Sequence, residues 1–239
     1  MTHVFRASMV GSLMGLAQSI DSKLITDEVK EIQKKKVAQR TDEEKKLLSD
    51  LLFNTLPDGA ITILDKLISQ EIIKWQDAEM DFFTLEKGIQ CENESIELYN
   101  EVHDTFYVKN IERITSGLLT GECDLLDKKE SLVIDIKTAY SKKTYPFNLR
   151  ISKLYEWQLR AYMHLYDVNQ AELAYCLVDT PLELIASKDP EHWHFVSDVE
   201  LKHRVSTLRI ERDTEKERQL LNRLSLCNQY LVDQLESKK

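Results

Sequence analysis

Glycine and proline are scarce in this chain, six and four among 239 residues, so there is little material for flexible linkers. One domain spanning 1–239 is therefore the expectation, in place of modules joined by tethers. Cysteine is also sparse. Cys91, Cys123, Cys176 and Cys227 stand far apart with no CxxC among them, which removes the usual basis for zinc or iron–sulfur ligation and predicts reduced thiols. No apolar run reaches the ~20 residues that cross a bilayer, so no membrane contact is expected. The opening MTHVFRASMVGSLMG lacks the basic start and continuous apolar stretch of a secretory leader, so a cytoplasmic location is expected. An excess of positive charge is missing too. A net charge of −9 excludes a general polyanion-binding surface and obliges any nucleic-acid contact to gather its cations locally.

What is present is a charged, half-apolar chain large enough to bury its own core. Its first third reads as helical. Leu13, Leu16 and Ile20 predict a short first helix, and 27–40 and 42–54 predict charged, exposed helices. The span from Lys30 to Lys46 reads as an insertion or mobile arm. Pro57-Asp58-Gly59 predicts a turn. Helical periodicity resumes over 60–80 through Ile63, Leu67, Ile68, Ile72 and Trp75. After residue 84 the pattern changes. A helix is expected over 85–103, then β-like runs at 105–109, 111–116, 118–126 and 131–138. A helix at 152–167, a buried strand at 171–179, an alternating strand at 203–211 and a long amphipathic helix at 213–237 complete the chain. The reading is α/β or α+β, a central mixed sheet flanked by helices: a helical part (1–84), a core (85–180) and a C-terminal strand and helix (181–239).

The strongest chemical signal is GECDLLDKKESLVIDIKT, residues 121–138. In the apolar run LVIDIK, strand alternation puts Asp135 and Lys137 on one face and Ile134 and Ile136 on the other. If Lys128–Ser131 form the hairpin loop, Asp124 lies directly across from Asp135. Two facing carboxylates repel unless a cation sits between them. A hard divalent ion such as Mg²⁺ suits these oxygens and the Ile136 carbonyl, with Lys137 beside it to orient water or meet charge on a phosphate. Against this stands the plainer reading of a hairpin whose acids face solvent. Two further residues tip the balance. Glu92 falls on the apolar stripe Ile89, Ile96, Tyr99, His103 of its helix, and Gln158 on the stripe Leu154, Ala161, Leu165 of the later one. A core-facing acid and a core-facing amide both need partners, and one shared polar site supplies them. Two smaller motifs are set aside: His192-Trp193-His194 lacks a third metal ligand, and Cys123 has no paired base.

The order Glu, Asp, D-x-K, Gln resembles that of the PD-(D/E)XK nucleases. KGIQCENESIELYNEV (87–102), GECDLL, IDIKT and YEWQLRAYMHL are similar to the four motifs of the phage-type exonucleases related to lambda exonuclease (YqaJ-like viral recombinase nucleases). FRAS at 5–8 is similar to their short N-terminal motif. The resemblance covers about 5–20 and 85–180. It implies a restriction-endonuclease-like core and a Mg²⁺-dependent exonuclease, with Mn²⁺ substituting, acting on ends of double-stranded DNA in phage-type recombination, in a bacterial or phage-infected cell. By it Asp124, Asp135, the Ile136 carbonyl and Glu92 hold metal, Lys137 acts on the attacking water, and Gln158 positions the lysine or its strand. It further implies a ring trimer and a single-strand annealing partner. Lys142, Lys143, Arg150, Lys153 and Arg160, with Lys137, outnumber the single acid Glu156 across 137–160 and are the candidate DNA contacts. Tyr162 joins them through a Q-x-x-x-Y pattern shared with RecB-type nucleases. One departure stands out. Glu122-Cys123 replaces the family's hydroxyl residue and proline before the second-motif Asp, which sets a carboxylate where a terminal phosphate would dock. Arg6 and Ser8 remain candidates for a phosphate pocket. The alternatives are a structure-specific or restriction-like endonuclease, and a non-catalytic nucleic-acid-binding module on the same fold.

Overall fold

The computed structural model describes residues 2–75 and 82–238. The molecule is built on a four-stranded sheet formed by β4 (Leu125–Asp127), β5 (Leu132–Thr138), β6 (Gln170–Cys176) and β7 (Val205–Glu211), in that order. β4 is antiparallel to β5, β5 parallel to β6, and β6 antiparallel to β7. The parallel β5–β6 step is bridged by α7 (Lys153–Tyr166), as a parallel crossover requires. A smaller sheet pairs β1 (Phe5–Arg6) with β3 (Leu119–Gly121) in parallel, and β3 with β2 (Ile114–Ser116) antiparallel.

Strand alternation sorts the apolar side chains of the larger sheet to its two faces. Val133, Ala171 and Leu173 pack with Leu159 and Met163 of α7, and with α1 (Ala7–Leu13), α4 (Asp58–Ile73) and α8 (Thr214–Glu236). Ile134, Ile136, Ala174 and Cys176 pack against Ile96, Leu98 and Tyr99 of α6 (Glu92–His103). Helix α6 is also pinned electrostatically. The Tyr99 hydroxyl donates to Glu172 at 2.6 Å, and Glu172 in turn takes Arg209 at 2.9 Å. At the far end, the buried Arg223 of α8 donates to the carbonyls of Thr55 and Phe53 at 3.0 and 2.9 Å, satisfying backbone the helices leave open.

Several local expectations are corrected. The helix foreseen over 85–103 is two helices, α5 (Phe82–Gln90) and α6, kinked at Cys91. Hydrogen bonds continue across the kink, from Cys91 N–H to the Lys87 carbonyl and from Ser95 N–H to the Cys91 carbonyl. The bend takes Ile89 off the buried stripe and leaves it 62% exposed. No strand forms at 105–109, because the Asn100 amide pairs with both the N–H and the carbonyl of Tyr107 and replaces a neighbouring strand. Pro57-Asp58-Gly59 opens α4 instead of turning. Pro57 is its N-cap residue, and Asp58 places a carboxylate in the first turn, where the helix dipole favours it. Helix α1 ends at Leu13, so Leu16 lies beyond it and is exposed. Residues 76–80 of the helix expected over 60–80 lie outside the described residues. The 30–46 span contributes α2 (Asp27–Lys34) and the start of α3 (Asp42–Phe53), which bury Val29, Ile32 and Leu48 with Ile20 in a cluster of their own.

Two consequences can be measured. A Cβ on Gly11 would stand 2.5 Å from the Leu154 backbone, where no side chain can yield. Gly11→Ala is therefore expected to cost about 3 kcal/mol in urea unfolding, by overpacking the α1–α7 contact. A cost under about 0.5 kcal/mol would contradict that packing. Glu217 of α8 receives Arg212 and pairs with His164 of α7, and Arg212 first of all pulls its pKa down to about 2. A depressed folded-state pKa gives stability that is whole above the ordinary value near 4.5 and is lost as pH falls through about 2. Glu217→Gln should lower stability at neutral pH and flatten the melting-temperature profile in that acid window.

Candidate active site

The β4–β5 hairpin sets the geometry. Leu125 pairs with Ile134, Leu126 with Val133 and Asp127 with Leu132, and one step further that register sets Asp124 opposite Asp135. Asp124 Oδ2 accepts the Ile136 N–H at 2.6 Å, fixing the carboxylate against the strand. The backbone carbonyl of Asp124 is held by the Asn110 N–H at 2.7 Å. Asp135 is 2% exposed. Its Oδ1 accepts from Gln158 Nε2 of α7 at 3.1 Å, and the same amide reaches the Tyr162 hydroxyl at 3.2 Å. Its Oδ2 lies 2.6 Å from Lys137 Nζ as an ion pair but receives no well-aligned hydrogen bond. Lys137 also sits 5.6 Å from the centre of the Tyr155 ring.

Electrostatics in this cluster are unbalanced in an informative way. Burial, and then the neighbouring Asp135 charge, push the Asp124 carboxyl up to about 7. Burial acts to lower the Lys137 ammonium, but Asp135 and Asp124 outweigh it and hold Lys137 above its ordinary value. One ammonium thus serves two desolvated carboxylates, and a further cation would relieve the pair. The donors are two carboxylates and backbone carbonyl oxygen, a set that fits a hard divalent ion. Among the described residues no three acid, histidine or cysteine side chains already converge as a metal cage. Glu92 explains why. It lines the same cleft, of about 590 Å³, as Asp124, Ile136, Lys137 and Tyr155, but its carboxylate is held by Lys109.

Sequence periodicity therefore brought Asp124, Asp135, Lys137 and Gln158 to one point and placed Glu92 on the wall of the same cleft. It missed Lys109 and Asn110, which sit in an irregular loop where no period marks a face. Of the expected DNA contacts, Lys153, Arg150 and Lys143 are exposed along the same region, and Lys142 pairs with Asp198. Arg160 is different: it is 8% exposed and clamped by Glu156 at 2.9 Å, so its charge is spent within the fold. Tyr162 is buried behind the carboxylates with its hydroxyl on Gln158, not on the surface. Arg6 lies on β1 and is the residue at the start of α1; Ser8 is exposed on that helix and does not cap it. Glu122, the departure noted before Asp124, pairs with Arg113 at 3.3 Å.

The family model of the PD-(D/E)XK nuclease superfamily matches residues 16–235. The chain belongs to that superfamily. The fold carries the same likeness. A phage-related exonuclease from Haemophilus somnus 129PT superposes with a TM-score of 0.77 at 23% identity, over 100% of this chain and 97% of that one. An alkaline exonuclease from Laribacter hongkongensis, LHK-Exo, superposes with a TM-score of 0.57 at 12% identity, over 98% and 90%. LHK-Exo in complex with dAMP gives 0.55 at 15%, over 78% and 87%. No curated protein sequence matches the chain. Nucleases of this superfamily generally use divalent metal ions, in keeping with the oxygen donors of the hairpin.

If Glu92 belongs to the metal shell, Lys109 competes for it. Exposed ion pairs are worth up to ~1 kcal/mol. Lys109→Met is expected to tighten Mn²⁺ binding by about two- to fivefold in titration calorimetry. Unchanged or weakened binding would remove Glu92 from the shell.

Proposed function

We propose that the protein is a Mg²⁺-dependent exonuclease that hydrolyses double-stranded DNA from its ends, with Mn²⁺ able to substitute. The observation that carries this reading is that Asp124 and Lys137 line one open cleft while Asp135, buried beside them, is paired with Lys137 and braced by Gln158. Asp124, Asp135 and the Ile136 carbonyl would hold the ion, with Glu92 joining directly or through water. Bound there, a divalent ion lowers the pKa of water and offsets the charge of the scissile phosphate. Lys137 does the rest from a fixed place. Asp135 and the Tyr155 ring hold its ammonium, which can orient the attacking water and meet negative charge as it develops on the phosphate. Gln158 keeps Asp135 in the rotamer this requires and draws Tyr162 into the same network. Lys143, Arg150 and Lys153 would track the DNA backbone without reading sequence.

The exonuclease names of the structural neighbours support the choice of ends over internal sites. The dAMP bound by one of them fits a mononucleotide product. The resemblance to phage recombination nucleases extends the proposal to a ring trimer working with a single-strand annealing protein in a bacterial or phage-infected cytoplasm.

The test uses linear and covalently closed circular DNA, with Mg²⁺ and with chelator. Linear duplex should be degraded and the circle left whole, and chelation should stop the degradation. Asp135→Ala and Lys137→Ala should each lower the rate by about 10³-fold or more while circular dichroism stays unchanged. Wild-type cleavage by either variant would reject the assignment. Cutting of the closed circle would replace the exonuclease with an endonuclease.

A further inference from the structure

A second cavity opens beside the catalytic cleft and shares three of its walls: Thr84, Tyr140 and Thr144. Its volume is about 420 Å³, within the range of small-ligand pockets. Phe83, Tyr140 and Trp193 give it aromatic surface, and Lys143 and Lys188 give it positive charge. In a chain of net charge −9 the two lysines gather positive charge locally beside these rings. We propose that this cavity is a nucleotide subsite, which takes one unpaired base of the DNA strand next to the phosphate being cut. The proposal rests on the nuclease reading for its address and goes beyond it in assigning a base-binding pocket to residues 83, 140–144 and 186–193.

Three observations carry it. The walls are held in place before any ligand arrives. The Trp193 carbonyl accepts the Lys142 N–H at 2.8 Å, and Tyr140 OH donates to the Leu184 carbonyl at 2.9 Å while accepting the Ala186 N–H at 3.1 Å. The fully buried His194 is 3.0 Å from the Thr180 hydroxyl, and Thr180 is held in turn by the buried Lys87 at 2.8 Å. That chain of contacts ties the Trp193 segment to the end of the catalytic strand. Second, Lys143 Nζ lies 4.5 Å from the Trp193 ring centre. A cation over an indole face marks a surface that a base can stack on, with the ammonium moving to the attached phosphate. Third, the pocket is concave and continuous with the cleft. A base that stacks on the Trp193 ring has left its own duplex stack, so the strand bound there is unpaired at that position. Asp189 also lines the cavity, 3.7 Å from the His194 Nε2 that burial keeps toward the neutral form, so one carboxylate stands against the two lysines.

The experiment measures binding without cleavage. Full-length protein in chelator is titrated into short fluorescent single strands, with one abasic site moved along the sequence. Base stacking on an aromatic is worth ~1–3 kcal/mol, so one abasic position should weaken wild-type binding by about five- to a hundredfold. Trp193→Ala should weaken the intact strand equally, and the abasic site should then add nothing. Trp193→Phe should keep most of the affinity. Lys188→Ala, at an exposed position, should reduce the slope of log K against log salt by about 0.7. If Trp193→Ala fails to fold, Trp193→Phe, Lys188→Ala and the wild-type abasic scan decide the matter alone. Binding indifferent to these residues and to every abasic position overturns the subsite, even in a protein that cuts DNA. Binding as expected in a protein that cuts no DNA with any divalent ion overturns the nuclease reading and the address beside a scissile phosphate, and leaves the pocket as a base-binding site alone.

Discussion

Two carboxylates, Asp124 half-buried on the cleft wall and Asp135 fully buried, face and repel one another across a hairpin. That repulsion is the constraint around which this fold is organised. The Ile136 N–H, the Gln158 amide and the Lys137 ammonium each answer part of it, and each comes from an element with another reason to be there. The hairpin brings Asp124 and Ile136, the strand brings Lys137, and the crossover helix that makes β5 and β6 parallel brings Gln158. Placing acids this way costs stability that a pair of apolar residues would not cost. The arrangement makes chemical sense as a cation site, and membership of a metal-using nuclease superfamily gives that site its occasion.

Around the carboxylates the fold supplies rigidity more than further charge. Helix α6 is anchored through Tyr99, Glu172 and Arg209, which fixes where Glu92 can stand. Lys87 reaches under the cleft floor to the carbonyls of Ala139 and Val178 at 2.8 and 2.9 Å, joining the ends of the two central strands. Lys109 holds Glu92 at the cleft wall, so that carboxylate is already paired with an ammonium of the protein. Such reservation is a way to keep acids soluble and paired until a stronger cation arrives.

Much of the candidate active-site hairpin was legible in the sequence, for a simple reason. A period of two along LVIDIK assigns faces unambiguously, and a four-residue loop leaves one register, which the strand pairing reproduces. Gln158 was legible because a polar residue on an apolar helical stripe is conspicuous. Where the period was interrupted, legibility failed. The kink at Cys91 moved Ile89 from core to cleft, and the Asn100 side chain removed a strand that alternation had promised. Arg160 and Tyr162 show a different limit. Composition reveals that a segment is basic, but only packing shows which cation is already paired with Glu156 or which hydroxyl is buried behind the acids. The Trp193 pocket was beyond reach, since its walls come from three stretches about fifty residues apart.

The central claim is that Asp124 and Asp135 are held together at a cost which a divalent cation repays. Melting curves test it directly. A ligand that binds only the folded state raises the midpoint by mass action, whatever its effect on catalysis. Wild-type protein should melt higher as Mn²⁺ or Mg²⁺ is added, whereas Asp135→Asn should start more stable in chelator and respond little to either ion. A wild-type midpoint that ignores both ions, or an Asp135→Asn variant that rises as far as wild type, would contradict the account.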